Sequence, residues 1–333
     1  MSKQSKDSLT NVPKNEIWIN NLEYFNHSNF ENMDINEVAS LILDTYKTYN
    51  GRQFLNEDDL NFLLPSDKLE IERSTLSHVL LRHRWNGNFC SPIKERLNTS
   101  GTTMLDVGCG PGLWAIDMGL NHPSSSIIAI DIDPSKFPPN DQCPPNVCFL
   151  TCNAVHGIPF PPNTFDFVNI SLMWSAFSEA QWILLIKDLI RVLKYDGWIE
   201  FTEPDPALRN GGKNLTWLLE SFANACRDVG GVNIRIYEKI PTYIRAMDEL
   251  EDLNCMSVNY PVGEWYGCFG KYSLDNLERL LKAAVYLPKY IGISNEQFNN
   301  LLKDYLKEAN ETKSFIYIYK YFAKKVSKKA PII

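Results

Sequence analysis

The sequence predicts an α/β fold built on a parallel, doubly wound sheet. Three observations predict it. A short apolar run, Met104 to Val107, ends in glycines at alternate positions, Gly108, Gly110 and Gly112. Strand and helix patterns then alternate as far as Pro206. The second of these strands closes on an acid, Asp131.

Met104 to Val107 reads as a buried parallel strand, because both faces of such a strand are covered and its residues are apolar without alternation. A helix follows from about Leu113 to Leu120. Strand two covers Ile127 to Ile130, strand three Val147 to Thr151, and strand four Phe165 to Ile170. The proline-rich stretch from Asp133 to Pro145 is expected to lack regular structure. A helix from Ser178 to Leu193 leads through the turn Tyr195-Asp196-Gly197 to strand five, Trp198 to Thr202. Repeated strand–helix–strand units of this kind build parallel sheets.

Outside this core the pattern is less regular. Residues 1 to about 15 are polar and expected to be disordered. Asp34 to Tyr49 has helical periodicity. We divide the chain into an N-terminal arm, 1–63, and a main domain, 64–325. Within the main domain lie a cofactor-binding core over 100–206, a cap over 207–310 and a final strand over 315–323. A helix capped at Ser66 runs to about Arg84, and a shorter one spans Pro92 to Asn98. Past Pro206, helices are expected over Leu215–Val229, Pro241–Leu253, Leu274–Tyr286 and Asn295–Glu308. Met256 to Tyr260 and Phe315 to Phe322 alternate like strands, and Gly263 to Gly270 reads as a loop.

Composition narrows the functions. The 333 residues are 44% hydrophobic and carry a net charge of −7, so nucleic acid is not the default partner. The lysines at 320, 324, 325, 328 and 329 read as a solvated tail. The eight cysteines include no CxxC pair, so buried free thiols in a reducing compartment are expected and no metal site. The N-terminus has no apolar signal core and no run is long enough to span a membrane. A protein of the cytoplasm or nucleus follows as the expectation.

The glycine turn is a nucleotide-type cradle, since glycine lets a ligand lie against the backbone and a helix start supplies free N–H groups. Its identity follows from what surrounds it. A dinucleotide turn reads G-x-G-x-x-G, and a P-loop ends in lysine; here the residue after Gly112 is Leu113 and no such lysine follows. Asp106 would repel phosphates but suits an ammonium group. Asp131, 19 residues past Gly112, sits where an acid accepts hydrogen bonds from ribose hydroxyls. Ribose, a cationic amine and no phosphate together describe S-adenosylmethionine.

Leu105-Asp-Val-Gly-Cys-Gly-Pro-Gly112 resembles the first motif of the class I S-adenosylmethionine-dependent methyltransferases, and Asp131 resembles the acid of their second. Asn153-Ala154 lies where the family contacts adenine, and Arg191-Val-Leu-Lys194 with Asp196-Gly197 is similar to the family's turn into strand five. Tyr195 and Asp196 depart from that turn's usual proline and glycine. Leu64-Pro-Ser-Asp67, Glu70, Arg73 and His78, with Tyr260-Pro-Val-Gly263, Trp265 and Gly267, resemble a fungal methyltransferase group that includes regulators of secondary metabolism.

The resemblance implies a seven-stranded, mostly parallel, Rossmann-like sheet and a cofactor set of Asp106, Gly108, Cys109, Gly110, Gly112, Asp131, Ile132, Asn153, Ala154 and Ser171. Methyl transfer needs little side-chain chemistry, because the cofactor is itself the electrophile. Glu203 and His78 are the candidate bases. Arg82, His83 and Arg84 share the His78 helix, and Asp205 shares the rim with Glu203. Trp174, Phe177, Trp217, Trp265 and Tyr266 are candidate walls for an apolar small-molecule acceptor. The competing reading is a cofactor-binding regulator with little turnover, which would have a protein partner; a nicotinamide dehydrogenase is a third.

Overall fold

The computed structural model describes residues 45–57 and 63–327. Contacts divide the chain into two compact units, Met1–Lys47 and Thr48–Ile333. The disorder expected for residues 1–15 and most of the helix expected over Asp34–Tyr49 lie outside the described residues. The described end of that helix is instead a strand, β1 (Tyr46–Tyr49), followed by β2 (Arg52–Leu55). Between them Asn50 and Gly51 both have positive φ, 48° and 73°. Asn-Gly is the pair that a two-residue hairpin turn selects, and it overrides the helical periodicity.

Helix α1 (Lys68–Trp85) is capped by Asp67, whose side chain accepts from Glu70 N; Ser66, the expected cap, lies one residue too early. The helix stops at Asn86, which takes the left-handed conformation. Helix α2 (Lys94–Leu97) leads into the core. There follow β3 (Thr103–Val107), α3 (Leu113–Asn121), β4 (Ser126–Asp131), β5 (Val147–Thr151), β6 (Phe165–Ser171) and α4 (Glu179–Val192). A full capping box between Ser178 and Gln181 starts α4. The proline-rich stretch after β4 holds two short 3-10 turns, Pro134–Lys136 and Asn140–Gln142.

Strand five is longer than expected: β7 runs Leu193–Arg209. Its pairing with β6 ends at Ser171–Thr202, so Pro204 and Pro206 lie beyond the last β6 partner. Then come α5 (Lys213–Gly230), α6 (Ile240–Arg245), β8 (Leu250–Pro261), α7 (Gly267–Ala283), α8 (Leu287–Tyr290), α9 (Asn295–Glu311) and β9 (Phe315–Lys325). Two expectations fail here. The helix expected over Pro241–Leu253 ends at Arg245, and its last four residues belong to β8. The stretch around Gly267 and Gly270 is not loop but the first turn of α7, where Gly270 O accepts from Gly263 N (3.0 Å).

The seven-stranded sheet has the order β5-β4-β3-β6-β7-β9-β8. Strands β3 to β7 are parallel, and β9 is antiparallel to both neighbours, β7 and β8. The doubly wound, mostly parallel expectation holds. Strand order reverses between β3 and β6, and in such sheets the crevice beyond the carboxyl ends at that point receives ligands. Large side chains such as Trp182, Phe165 and Phe201 fill the core with under 2% exposure.

The lysine cluster is not a solvated tail where it is described. Lys320 and Lys325 are buried. Lys320 Nζ pairs with Glu200 (2.8 Å), which also accepts from Cys90 N, Ser91 N and Ser91 Oγ. Lys325 Nζ donates to Ile190 O and Leu193 O (2.7 Å each). Buried cations need such partners, and these ones tie β9 to the segment before β3 and to the start of β7. The cysteines are free, but Cys148, Cys255 and Cys268 are exposed rather than buried. No metal-binding group occurs among the described residues.

Candidate active site

Beyond the carboxyl ends of β3, β4 and β6 lies a cavity of about 200 Å³. Its wall includes Asp106, Gly108, Cys109, Gly110, Asp131, Ile132, Asn153, Ala154 and Ser171. Nine of the ten sequence-predicted cofactor positions are thus brought together. The tenth, Gly112, is not on the wall. It has φ +72°, and a Cβ there would lie 2.1 Å from the Phe149 ring. Its task is the close packing of α3 against β5, with the backbone in a conformation that favours glycine.

Asp106 is the most unusual group in the cavity. It is 3% exposed. Its Oδ1 accepts from Asn169 Nδ2 (2.8 Å), while Oδ2 is buried with no partner among the described residues. Burial pushes the carboxyl up to about 7, against the lowering effect of Asn169 and with a further push from Asp131. A cationic donor is what this oxygen lacks.

Asp131 does more than await a ligand. Its Oδ2 accepts from Gly110 N (2.8 Å) and its Oδ1 from Asp133 N (3.0 Å). The acid at the end of β4 therefore pins the glycine turn at the end of β3. Asn153 is likewise engaged, accepting from Val155 N (3.2 Å).

One wall element carried no sequence signal. Leu172, just after β6, has φ +58°, a strained value for a branched side chain. It is held by Leu172 N donating to Thr202 O (2.9 Å). Next to it Met173 N donates to Glu203 Oε1 (2.9 Å), and Trp174 N also bonds that carboxyl. Met173 in turn covers Gly108, where a Cβ would lie 2.2 Å from its sulfur.

This geometry corrects the expectation for Glu203. Residues alternate across a strand. Pro204, Pro206 and Leu208 of β7 face a second cavity, so Glu203 and Asp205 point the other way. Glu203 is fully buried, is held well above the usual carboxylate range by that burial, and lines neither cavity. It positions the Leu172–Trp174 loop. Asp205 is paired with Arg209 (2.6 Å).

His78 does line the first cavity. Its Nε2 meets Asp117 Oδ2 at 3.0 Å, joining α1 to α3, and burial outweighs Asp117 to lower its pKa. Arg82 also pairs with Asp117 (3.1 Å), Arg84 bonds Asn259, and His83 packs on Phe269. None of those three is on the cavity wall.

The second cavity, about 140 Å³, adjoins the first and shares Arg73, Leu81, Leu172 and Trp174 with it. The ends of β7, β8 and β9 and helices α1, α5 and α7 enclose it. Of the aromatic candidates, Trp174 and Phe177 reach a wall, whereas Trp217 is exposed and Trp265 and Tyr266 pack on each other.

The methyltransferase-domain family matches residues 104–197. The chain is 27% identical over 167 residues to the N-methyltransferase verN of Clonostachys rogersoniana, covering 49% of this chain and 58% of that protein. It is 26% identical over 229 residues to the methyltransferase pytC of Aspergillus terreus, covering 66% and 67% respectively. It is also 27% identical to the secondary metabolism regulator laeA of Aspergillus fumigatus, over 55% of this chain and 48% of that one. Among solved structures, a phosphoethanolamine N-methyltransferase of Haemonchus contortus with S-adenosyl-L-methionine aligns at 17% identity and TM-score 0.47, over 83% of this chain and 62% of that one. With the motifs, the cradle and the sheet order, the domain match leads to one conclusion: residues 104–197 form a methyltransferase domain, and the chain resembles the S-adenosylmethionine-dependent methyltransferases of the fungal group that includes secondary-metabolism regulators.

Proposed function

We propose that the protein transfers a methyl group from S-adenosylmethionine to a small, largely apolar acceptor. The observation that carries this reading is the pairing of two adjoining cavities across one wall, the first with an unpartnered buried carboxylate oxygen on Asp106. That oxygen fits the ammonium group of the cofactor's amino-acid end. Asp131 would accept from ribose hydroxyls, Ile132 and Asn153-Ala154 would flank the adenine, and Gly108, Cys109, Gly110 and Ser171 would complete the cradle.

When bound, the cofactor supplies the electrophilic methyl group. The chain's own contribution is alignment and exclusion of water. The shared wall of Leu172, Trp174 and Leu81 would bring donor and acceptor together in an apolar setting. His78 is the candidate proton acceptor. Its lowered pKa keeps it neutral, as a base must be, and Asp117 orients its ring.

Calorimetry with S-adenosylhomocysteine tests the cofactor, with binding expected near one ligand per chain and lost in Asp131→Ala. Labelled S-adenosylmethionine with a fungal metabolite extract tests turnover, which should exceed that of Asp131→Ala. The likeness to laeA favours a second reading, a cofactor-binding regulator. That reading predicts binding without turnover and retention of a protein partner from a fungal cell lysate.

A further inference from the structure

The second cavity has a polar corner formed by Arg73, Ser77, Tyr260 and Asn276. Ser77 Oγ donates its single hydrogen to Arg73 O (3.1 Å). It can then only accept, and it does so from Arg73 Nη1 (3.1 Å) and from Asn276 Nδ2 (2.8 Å). This fixes which way the Asn276 amide faces. The Asn276 side chain also bonds the hydroxyl of Tyr260, which is 7% exposed. The carbonyl oxygen, Asn276 Oδ1, is left buried and without a partner among the described residues.

The rest of the wall is apolar apart from Ser273, whose hydroxyl is bonded to Pro261 O and Gly270 O; Leu172, Trp174, Phe222, Leu277 and Ile318 are among its members. Arg73 is the one charged side chain among the described wall residues, and its charge is met: Nε and Nη2 lie 2.6–3.0 Å from the Glu70 carboxylate. An anion would find no cation to spare, and a cation no carboxylate. A buried acceptor with no donor is the remaining demand.

We infer that the second cavity takes a neutral, apolar, ring-sized molecule presenting one N–H or O–H group to Asn276 Oδ1. Calling that molecule the methyl acceptor rests on the reading given under Proposed function; its recognition by Asn276 does not. Recognition by a buried amide carbonyl is selective, because an analogue without the donor leaves the carbonyl unpaired.

Two probes of one shape separate the terms. 2-Naphthol carries the donor, and 2-methylnaphthalene replaces it with a methyl group. Tryptophan fluorescence, with Trp174 in the wall, follows the binding of each. The wild-type protein should bind 2-naphthol at least tenfold more tightly. In Asn276→Leu the preference should fall to about onefold, while S-adenosylhomocysteine affinity stays unchanged. Equal affinities in the wild type, no binding of either probe, or a preference that survives in the variant would each overturn the proposal. The wild-type comparison needs no variant, so misfolding of Asn276→Leu cannot obscure it. Failure to bind S-adenosylhomocysteine would instead sink the cofactor reading and leave the naphthol result standing.

Discussion

The cradle and the second cavity share a wall but are built in different ways. The cradle comes from strand ends and turns between residues 106 and 177, together with α1. Its key contacts are backbone ones: a glycine turn, a carboxylate pinning that turn, a packed helix start. The second cavity is assembled from six elements spread from residue 73 to residue 318. Its character comes from side chains. Donor recognition is thus written into local backbone geometry, whereas acceptor recognition is written into long-range packing that can change residue by residue without disturbing the cradle.

The sharpest way to break this division is Gly112→Val. The left-handed backbone and the Phe149 ring 2.1 Å from a Cβ leave no room, and a loss of about 3–5 kcal/mol in stability is expected. Thermal melting measures it, and S-adenosylhomocysteine binding should vanish in calorimetry. Asp106→Leu comes next. Removing the carboxylate that leaves an unpartnered oxygen on the wall of the first cavity should weaken S-adenosylhomocysteine by about 2–3 kcal/mol, or roughly 30- to 150-fold, and leave 2-naphthol binding intact. If both ligands weaken equally, the two cavities are not independent.

Glu203 tests the wall between them. Glu203→Gln keeps the acceptor for the Met173 amide and should stay within threefold of wild type for both ligands. Glu203→Leu frees that amide, should cost about 1–3 kcal/mol in stability, and should weaken both ligands together. The smallest effect is that of pH. Asp106 titrates near 7 in the folded protein, well above its ordinary value of 3.8. An ammonium ligand requires the carboxylate, so affinity is full above 7 and falls as pH drops through it. S-adenosylhomocysteine should bind about tenfold more weakly at pH 6 than at pH 8. The stability of the unliganded protein runs the other way: the folded state holds the extra proton between 3.8 and 7, so stability declines as pH rises through that window.

The same contrast explains what could be read from the sequence. Strands β3 to β6 were legible because buried parallel strands are continuous apolar runs. The cradle was legible because backbone demands force glycine and acid at set spacings. β8 was missed at its start because it is an edge strand with exposed residues, and Ile244, Met247 and Leu250 mimic helical spacing. Lys320 and Lys325 looked like surface charge because their partners, Glu200 and the carbonyls of residues 190 and 193, are remote in sequence. Glu203 looked like a rim acid because its strand was expected to end at Thr202; the strand continues to Arg209, and its alternation turns the Glu203 side chain away from the ligand. Leu172 was invisible, since nothing in a leucine announces a positive φ. The Asn276 corner depends on two helices meeting 199 residues apart.

The place of β9 has a consequence for how the protein is made. It follows β8 in the chain but lies between β7 and β8 in the sheet. A ribosome extends a chain at about 5–20 residues per second, so the early strands of a domain emerge seconds before its last one. The cradle's strands are complete by residue 171, yet β8 has no sheet partner until residues 315–325 have been made. The growing chain can therefore assemble its cofactor cradle early, while the acceptor cavity, which needs Ile316 and Ile318 of β9, closes last.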